Sequence, residues 1–285
     1  MINLDAARTF VHGHARLIDR RRFQYAFDGA PAELVLSALA AYRNPDGGFG
    51  ALEPDLRTPA SQPIPVRYAF DVLASLPPSQ EAQALVAGSL DWLATVANDD
   101  GGVPFVLPSG AEQPAAPWMQ PAPESSMLAT VQLAAGALRL GVDHPWLARA
   151  TDFCWTRIGE VTPDDAYTCM FAVDFLDATP DRERADRELD RLTALMPADG
   201  RLVVAGGADG EELDPLHFVS RPEHAGVRLL SPGRIESGLD ALEAGQHEDG
   251  GWDFDWAKWN PAAAWEWRGA VTVEALRTLR AYGRL

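Results

Sequence analysis

Strand signals are nearly missing from this chain of 285 residues. Period-two alternation of apolar and polar side chains is rare, which points away from sheet-based folds. Cysteine is scarce. Cys154 and Cys169 are too few for a disulfide framework or a cysteine-rich zinc site, and a reduced cytoplasmic setting is the default. No apolar run approaches the roughly 18 residues of a membrane span. The stretch Met1-Ile2-Asn3-Leu4-Asp5-Ala6-Ala7-Arg8 lacks the apolar core of a signal peptide. Positive charge is short as well: 24 Lys and Arg stand against 41 Asp and Glu, a net charge of −17. Nucleic acid and acidic membrane surfaces bind through Lys and Arg, so neither is an expected partner. No G-x-S-x-G elbow, P-loop or dinucleotide fingerprint appears. Gly206-Gly207-Ala208-Asp209-Gly210 lacks the strand that phosphate loops need and reads as a turn.

What is present is a phrase that returns. Asn44-Pro45-Asp46-Gly47-Gly48-Phe49 reappears as Asn98-Asp99-Asp100-Gly101-Gly102-Val103, and again as Gln246-His247-Glu248-Asp249-Gly250-Gly251-Trp252. A worn copy is Ala198-Asp199-Gly200-Arg201-Leu202. The first glycines stand at 47, 101, 200 and 250. The doubled central gap predicts a further junction, and Ile158-Gly159-Glu160-Val161-Thr162-Pro163 occupies it. Such self-similarity marks one supersecondary unit used several times, each burying its apolar face against its neighbours. The chain therefore reads as one domain, residues 1–285.

Helical periodicity fills the space between the copies. Helices are expected over 4–20, 31–43, 64–76, 80–97, 124–139, 144–158, 163–177, 181–196, 232–245 and 261–283. Glu124-Ser125-Ser126 is suited to cap the fifth. Residues 214–230 are ambiguous because Pro222 interrupts them. The connections 50–62 and 103–123 are long, rich in Pro and Ala, and expected to be functional rims or lids. In the repeated loop, the glycine pair allows a tight turn after a helix and the acidic residue before it caps the turn. The repeat thus reads first as a structural clasp.

Leu242, Gln246, Gly250 and Trp252 resemble the QW repeat of the terpenoid cyclases and protein prenyltransferases, and Asp46-Gly47-Gly48-Phe49 and Asp100-Gly101-Gly102 look like weaker copies. The resemblance covers the whole chain at repeat level. It implies an all-α fold, a single α/α toroid of about five to six helix pairs, as in squalene–hopene cyclases and prenyltransferase β subunits. The cyclase branch carries a D-x-D-D motif whose third position is the protonating acid. Thr162-Pro163-Asp164-Asp165 is the nearest match, with Asp164 at the acid position, Asp165 after it, and Thr162 in place of the first Asp. A protonating carboxyl needs a raised pKa, whereas a helix N-terminus favours the ionised form. The same two residues are suited to cap a first turn. Asp253-Phe254-Asp255-Trp256 repeats the acid spacing in a loop.

The prenyltransferase branch holds zinc with Asp, Cys and His. Cys169, His217 and a nearby Asp could meet, but the D-x-C spacing of that branch is absent at Cys169. Arg221, Arg228 and Arg268 are the available cations for a diphosphate. No metal and no cofactor are expected. Tyr68, Trp118, Tyr167, Phe171, His217, Trp265 and Trp267 are the candidate substrate-binding residues. Aromatic rings at helical spacing either pack a core or stabilise a cation. Trp265 and Trp267 lie two apart on one helix, so at most one faces a cavity.

Three functions follow as expectations. The first is a cyclase-like isomerase that protonates an apolar isoprenoid in a central cavity. The second is a non-catalytic toroid holding a hydrophobic ligand or a partner. The third is a carbohydrate-active α/α toroid, suited to the acidic charge and to five Trp in the last thirty-four residues. The chain has length for one toroid, so a cyclase would use its own cavity or a homodimer.

Overall fold

The computed structural model describes residues 2–285. Helices make up 58% of it, and twelve α-helices lie among the described residues. They are α1 Leu4–His14, α2 Leu17–Phe27, α3 Ala32–Ala40, α4 Pro63–Ala74, α5 Gln80–Val96, α6 Met127–Leu140, α7 Pro145–Arg157, α8 Ala166–Ala178, α9 Arg182–Leu195, α10 Pro215–Phe218, α11 Pro232–Ala244 and α12 Pro261–Ala281. The one small sheet pairs β1 Leu202–Val203 antiparallel with β2 Glu212–Leu213. The fold class is all-α. No helix among the described residues is long and apolar enough to cross a membrane.

Local chemistry explains most helix ends. Asn3, Ser79, Ser126 and Asn260 each accept a backbone N–H of the first turn, at 3.0, 3.1, 3.1 and 2.9 Å. These bonds satisfy donors that have no partner inside the helix. Proline opens α4, α7, α10, α11 and α12, where its missing N–H is harmless. Gly141 ends α6 in the left-handed region.

One expectation is corrected. The single helix over 4–20 is two helices, because Ala15 and Arg16 are extended. The break lets α1 and α2 both pack on α12, where Gly269 leaves room for the Ala15 backbone and methyl. The ambiguous segment 214–230 divides into α10 and a 3-10 turn, Ala225–Leu229, with Pro222 between them. Gly206 and Gly210 sit in the connection between the two strands at positive φ, as a turn requires.

By contacts the chain divides into two compact units, neither continuous in sequence. The first comprises Met1–Ala38, Thr162–Met170 and Leu189–Leu285, and the second Leu39–Val161 and Phe171–Glu188. In the first, α12 packs against α1, α2 and α11, and α10 against α11. Phe10, Phe23, Phe218, Leu239 and Leu276 are its buried centre. In the second, α6 packs against α4, α5 and α7. Every residue of α6 from Ala129 to Ala137 is buried, as befits a central helix. Gly136 lets Phe70 of α4 close onto it.

The repeated loop is one hydrogen-bonded clasp built three times. Asn44 N–H donates to Gly48 O, Asn98 N–H to Gly102 O and His247 N–H to Gly251 O, all at 2.9 Å. Asp46, Asp100 and Asp249 each accept the second glycine's N–H at 3.0 Å. Each first glycine has positive φ: +95° at Gly47, +87° at Gly101 and +90° at Gly250. A methyl group there would strike backbone: Gly88 of α5, Arg149 of α7 and Ala6 of α1, respectively. Each clasp thus follows one helix and grips the helix after next, counting α1 as following α12. The aromatic or aliphatic residue after it is buried, as Phe49, Val103 and Trp252. Thr130 and Thr272 accept the N–H of Val103 and Trp252, at 3.0 and 2.9 Å. The junction at Gly159 is a 3-10 turn, Ile158–Glu160, without positive φ and without a close neighbour. It stands between α7 and α8 as the spacing predicts, but it lacks the clasp.

The third clasp also holds the residue that caps α1. Gln246 accepts the Asn3 N–H at 2.8 Å and donates to Asn3 O at 3.0 Å. Trp252 Nε1 donates to Leu242 O at 2.8 Å. Arg268 grips Asp249 through both terminal nitrogens, at 2.8 and 2.9 Å.

Candidate functional site

The two long rims of the second unit are ordered against each other. Arg57 N–H donates to Pro114 O at 3.1 Å and Ala116 N–H to Asp55 O at 2.8 Å. Gln62 joins them from the start of α4, accepting Leu107 N–H at 2.8 Å and donating to Ser109 Oγ at 2.7 Å. The loop after the first clasp folds back on itself. Ala51 N–H meets Thr58 O at 2.8 Å, and Gly50 lies so close to Pro59 O that a Cβ could not fit. Ala51 is the one non-glycine residue at positive φ among the described residues, at +53°. A strained backbone held by its surroundings is a recognised mark of functional loops.

This fold carries Glu53 and Asp55 inward, where they are 1% and 3% exposed. Glu53 Oε2 accepts the Asp55 N–H at 3.4 Å. Their charges reach Tyr68 of α4. Burial, and then the field of Glu53, push the Tyr68 phenol well above its usual range, so it stays a neutral hydroxyl. Arg67 pairs with Asp71 at 3.0 Å and lies 4.6 Å from the Tyr68 ring centre and 4.9 Å from that of Phe171. Burial opposes the charge of Arg67, but Asp71, with smaller contributions from Tyr68, Asp174 and Glu53, outweighs it. Arg139 of α6 pairs with Asp174 of α8 at 3.4 Å. Two expected ligand residues, Tyr68 and Phe171, are therefore brought together across one guanidinium.

The other candidates fall elsewhere. Trp118 is 40% exposed on the longer rim. Asp164 and Asp165 are both exposed in the first unit. Asp165 accepts the Thr168 N–H at 3.2 Å, and its carbonyl takes the first helical bond of α8, from Cys169. That is the capping geometry. Tyr167 donates to Glu211 at 2.7 Å. His217 and Asp214 close a capping box on α10, with Nδ1 3.1 Å from the carboxylate. Burial works against the imidazolium, but Asp214 and Asp255 outweigh it and raise the His217 pKa. Trp265 stacks on His14 at 4.7 Å, while Trp267 packs edge-on to Trp256 at 5.0 Å. The two indoles face different sides, as their spacing requires.

Of the candidate diphosphate cations, Arg268 is held by Asp249 and Arg228 by Asp190 at 2.6 Å. Among the described residues, no three His, Cys, Asp or Glu side chains converge as metal ligands. A surface depression of about 490 Å³ lies between the first clasp and α5, lined by Arg43, Asn44, Glu81 and Leu85, and contains none of the candidate residues.

The carboxylates at 53 and 55 were missed from sequence, although Glu53-Pro54-Asp55 has the same acid-x-acid spacing as Asp253-Phe254-Asp255. It also lies in a connection expected to be functional. No protein-family model and no curated protein matches this chain.

Proposed function

We propose that this protein is a single α/α toroid of the terpenoid-cyclase and prenyltransferase type, and that it protonates an apolar isoprenoid in a reducing cytoplasm. The ring is supported by the clasp pattern, in which the loop after α11 grips α1 as the loop after α3 grips α5. The chemistry rests on one observation: two almost fully buried carboxylates, Glu53 and Asp55, two residues apart beside a phenol that stays neutral. A carboxyl that donates a proton needs burial or a neighbouring carboxylate, and Glu53 and Asp55 have both. Asp164 is exposed, just before the start of α8, where a proton donor would stand in water.

The test is incubation of the purified protein with linear polyprenes and prenyl diphosphates, with products read by gas chromatography and mass spectrometry. Glu53→Gln and Asp55→Asn are expected to abolish product, and Asp164→Asn to leave it unchanged. Loss of product only in Asp164→Asn would return the acid to α8. A wild-type protein that copurifies with a lipid and turns nothing over would be a binding toroid.

A further inference from the structure

The first unit carries a second constellation that the isoprenoid reading does not use. After the third clasp, residues 253–260 form an irregular loop. Its Phe254 and Trp256 rings lie 4.3 Å apart, and Trp256 meets Trp267 of α12 edge-on at 5.0 Å. The three rings form a half-exposed wall. Asp255, between the two loop aromatics, is itself exposed. Its Oδ2 lies 3.5 Å from the Glu212 N–H on β2. Two residues on, Asp214 holds Nδ1 of His217 at 3.1 Å. The Asp214 backbone N–H donates to Nδ1 at 3.0 Å, so in the neutral ring Nε2 carries the proton and is the donor. The charge of Asp255 also acts on His217. The aromatic wall and the Asp214–His217 pair therefore adjoin.

We infer that Phe254, Trp256 and Trp267, with Asp255 and the Asp214-oriented His217, form a binding site for a neutral hydroxylated ligand of the sugar class. The chemistry is complementary. A sugar ring presents a C–H face that lies on an aromatic wall, and hydroxyls at its edge that donate to carboxylates. His217 Nε2 supplies the contact that carboxylates cannot, a donor to a hydroxyl oxygen. Asp253 and Glu212 are neutralised by Lys258 and Arg201, at 2.6 and 3.1 Å, which leaves the charges of Asp255 and Glu211 to repel anionic ligands such as phosphosugars and uronic acids. The site rests on the first unit alone and stands or falls independently of isoprenoid chemistry.

The experiment is a calorimetric titration of the full chain with neutral oligosaccharides built on glucose, mannose and N-acetylglucosamine, and with glucuronate as the anionic control. Saturable binding of a neutral sugar and none of glucuronate is expected. Trp256→Ala should weaken it about tenfold, the loss of one well-packed ring contact. Trp265→Ala, on the other side of α12, should leave it unchanged. Asp255→Asn removes the carboxylate without removing bulk, and should weaken binding in a protein whose circular dichroism is unaltered. The proposal is overturned if no neutral sugar binds at millimolar concentration. It is equally overturned if Trp256→Ala and Asp255→Asn both bind as the wild type does, or if glucuronate binds as well as the neutral sugars.

Discussion

Replacing Gly250 by alanine should damage this protein far more than its one added methyl group suggests. Gly250 has φ +90°, and a Cβ there would lie 2.3 Å from the carbonyl carbon and oxygen of Ala6 on α1. Two costs combine. A left-handed backbone costs an L-residue about 1–2 kcal/mol. Forcing a methyl against backbone that cannot rotate away costs a further ~1–3 kcal/mol. Together they give roughly 2–5 kcal/mol, or on the order of 5–15 °C in Tm for a chain of this size. Two other glycines separate the terms. Gly141 has φ +68° but nothing within 4 Å of its Cβ position, so Gly141→Ala carries the backbone cost alone. Gly159 has neither positive φ nor a neighbour within 4 Å, so Gly159→Ala should be neutral to within about 0.5 kcal/mol. Urea denaturation of the three variants measures the difference. If Gly250→Ala is no worse than Gly141→Ala, the third clasp does not grip α1 and the reasoning fails.

Thr272→Val strips the acceptor from the Trp252 N–H, which is buried, and should cost ~1–3 kcal/mol in the same assay; Thr130→Val should do the same through Val103. Ser126→Ala removes the α6 cap and should cost about 1 kcal/mol. The hydrogen bonds from Arg268 hold Asp249 below the usual carboxylate range, so its contribution is present at neutral pH and is lost as pH falls through the folded-state value. Asp249→Asn should therefore lower Tm at neutral pH by a small amount, and the gap to wild type should close only below the pH at which an ordinary Asp protonates, about 3.9. Burial pushes the Cys169 thiol up to about 12 and raises Cys154 further. Neither should react with a chromogenic disulfide at neutral pH until the protein is unfolded, and fast labelling of the native protein would contradict that burial.

Helix positions were legible because the signals that set them act within a few residues. Ser126 caps α6 by a bond to Ala129, and Pro63, Pro145, Pro232 and Pro261 start helices that their own neighbours continue. The clasp was legible for the same reason, since Asp46, Asp100 and Asp249 bond to a glycine two residues away. The opposed faces of Trp265 and Trp267 followed from helical period alone. The candidate site was less accessible. Asp164 and Asp165 had the expected spacing, yet whether a carboxylate caps a turn or faces a buried space depends on what packs over it. Glu53 and Asp55 are ordinary loop acids in sequence, and only the inward fold of residues 50–59 against the other rim makes them buried.

Sequence alone therefore determined that this is a helical protein punctuated by glycine clasps, because caps, prolines and three-to-four residue periodicity are local chemistry. Tertiary structure decided where the first helix breaks, which helix the third clasp grips, and which acids leave water. In each of those cases the deciding partner lies far along the chain: α12 for Ala15, α1 for Gly250, and the 103–123 rim for the loop that buries Glu53 and Asp55.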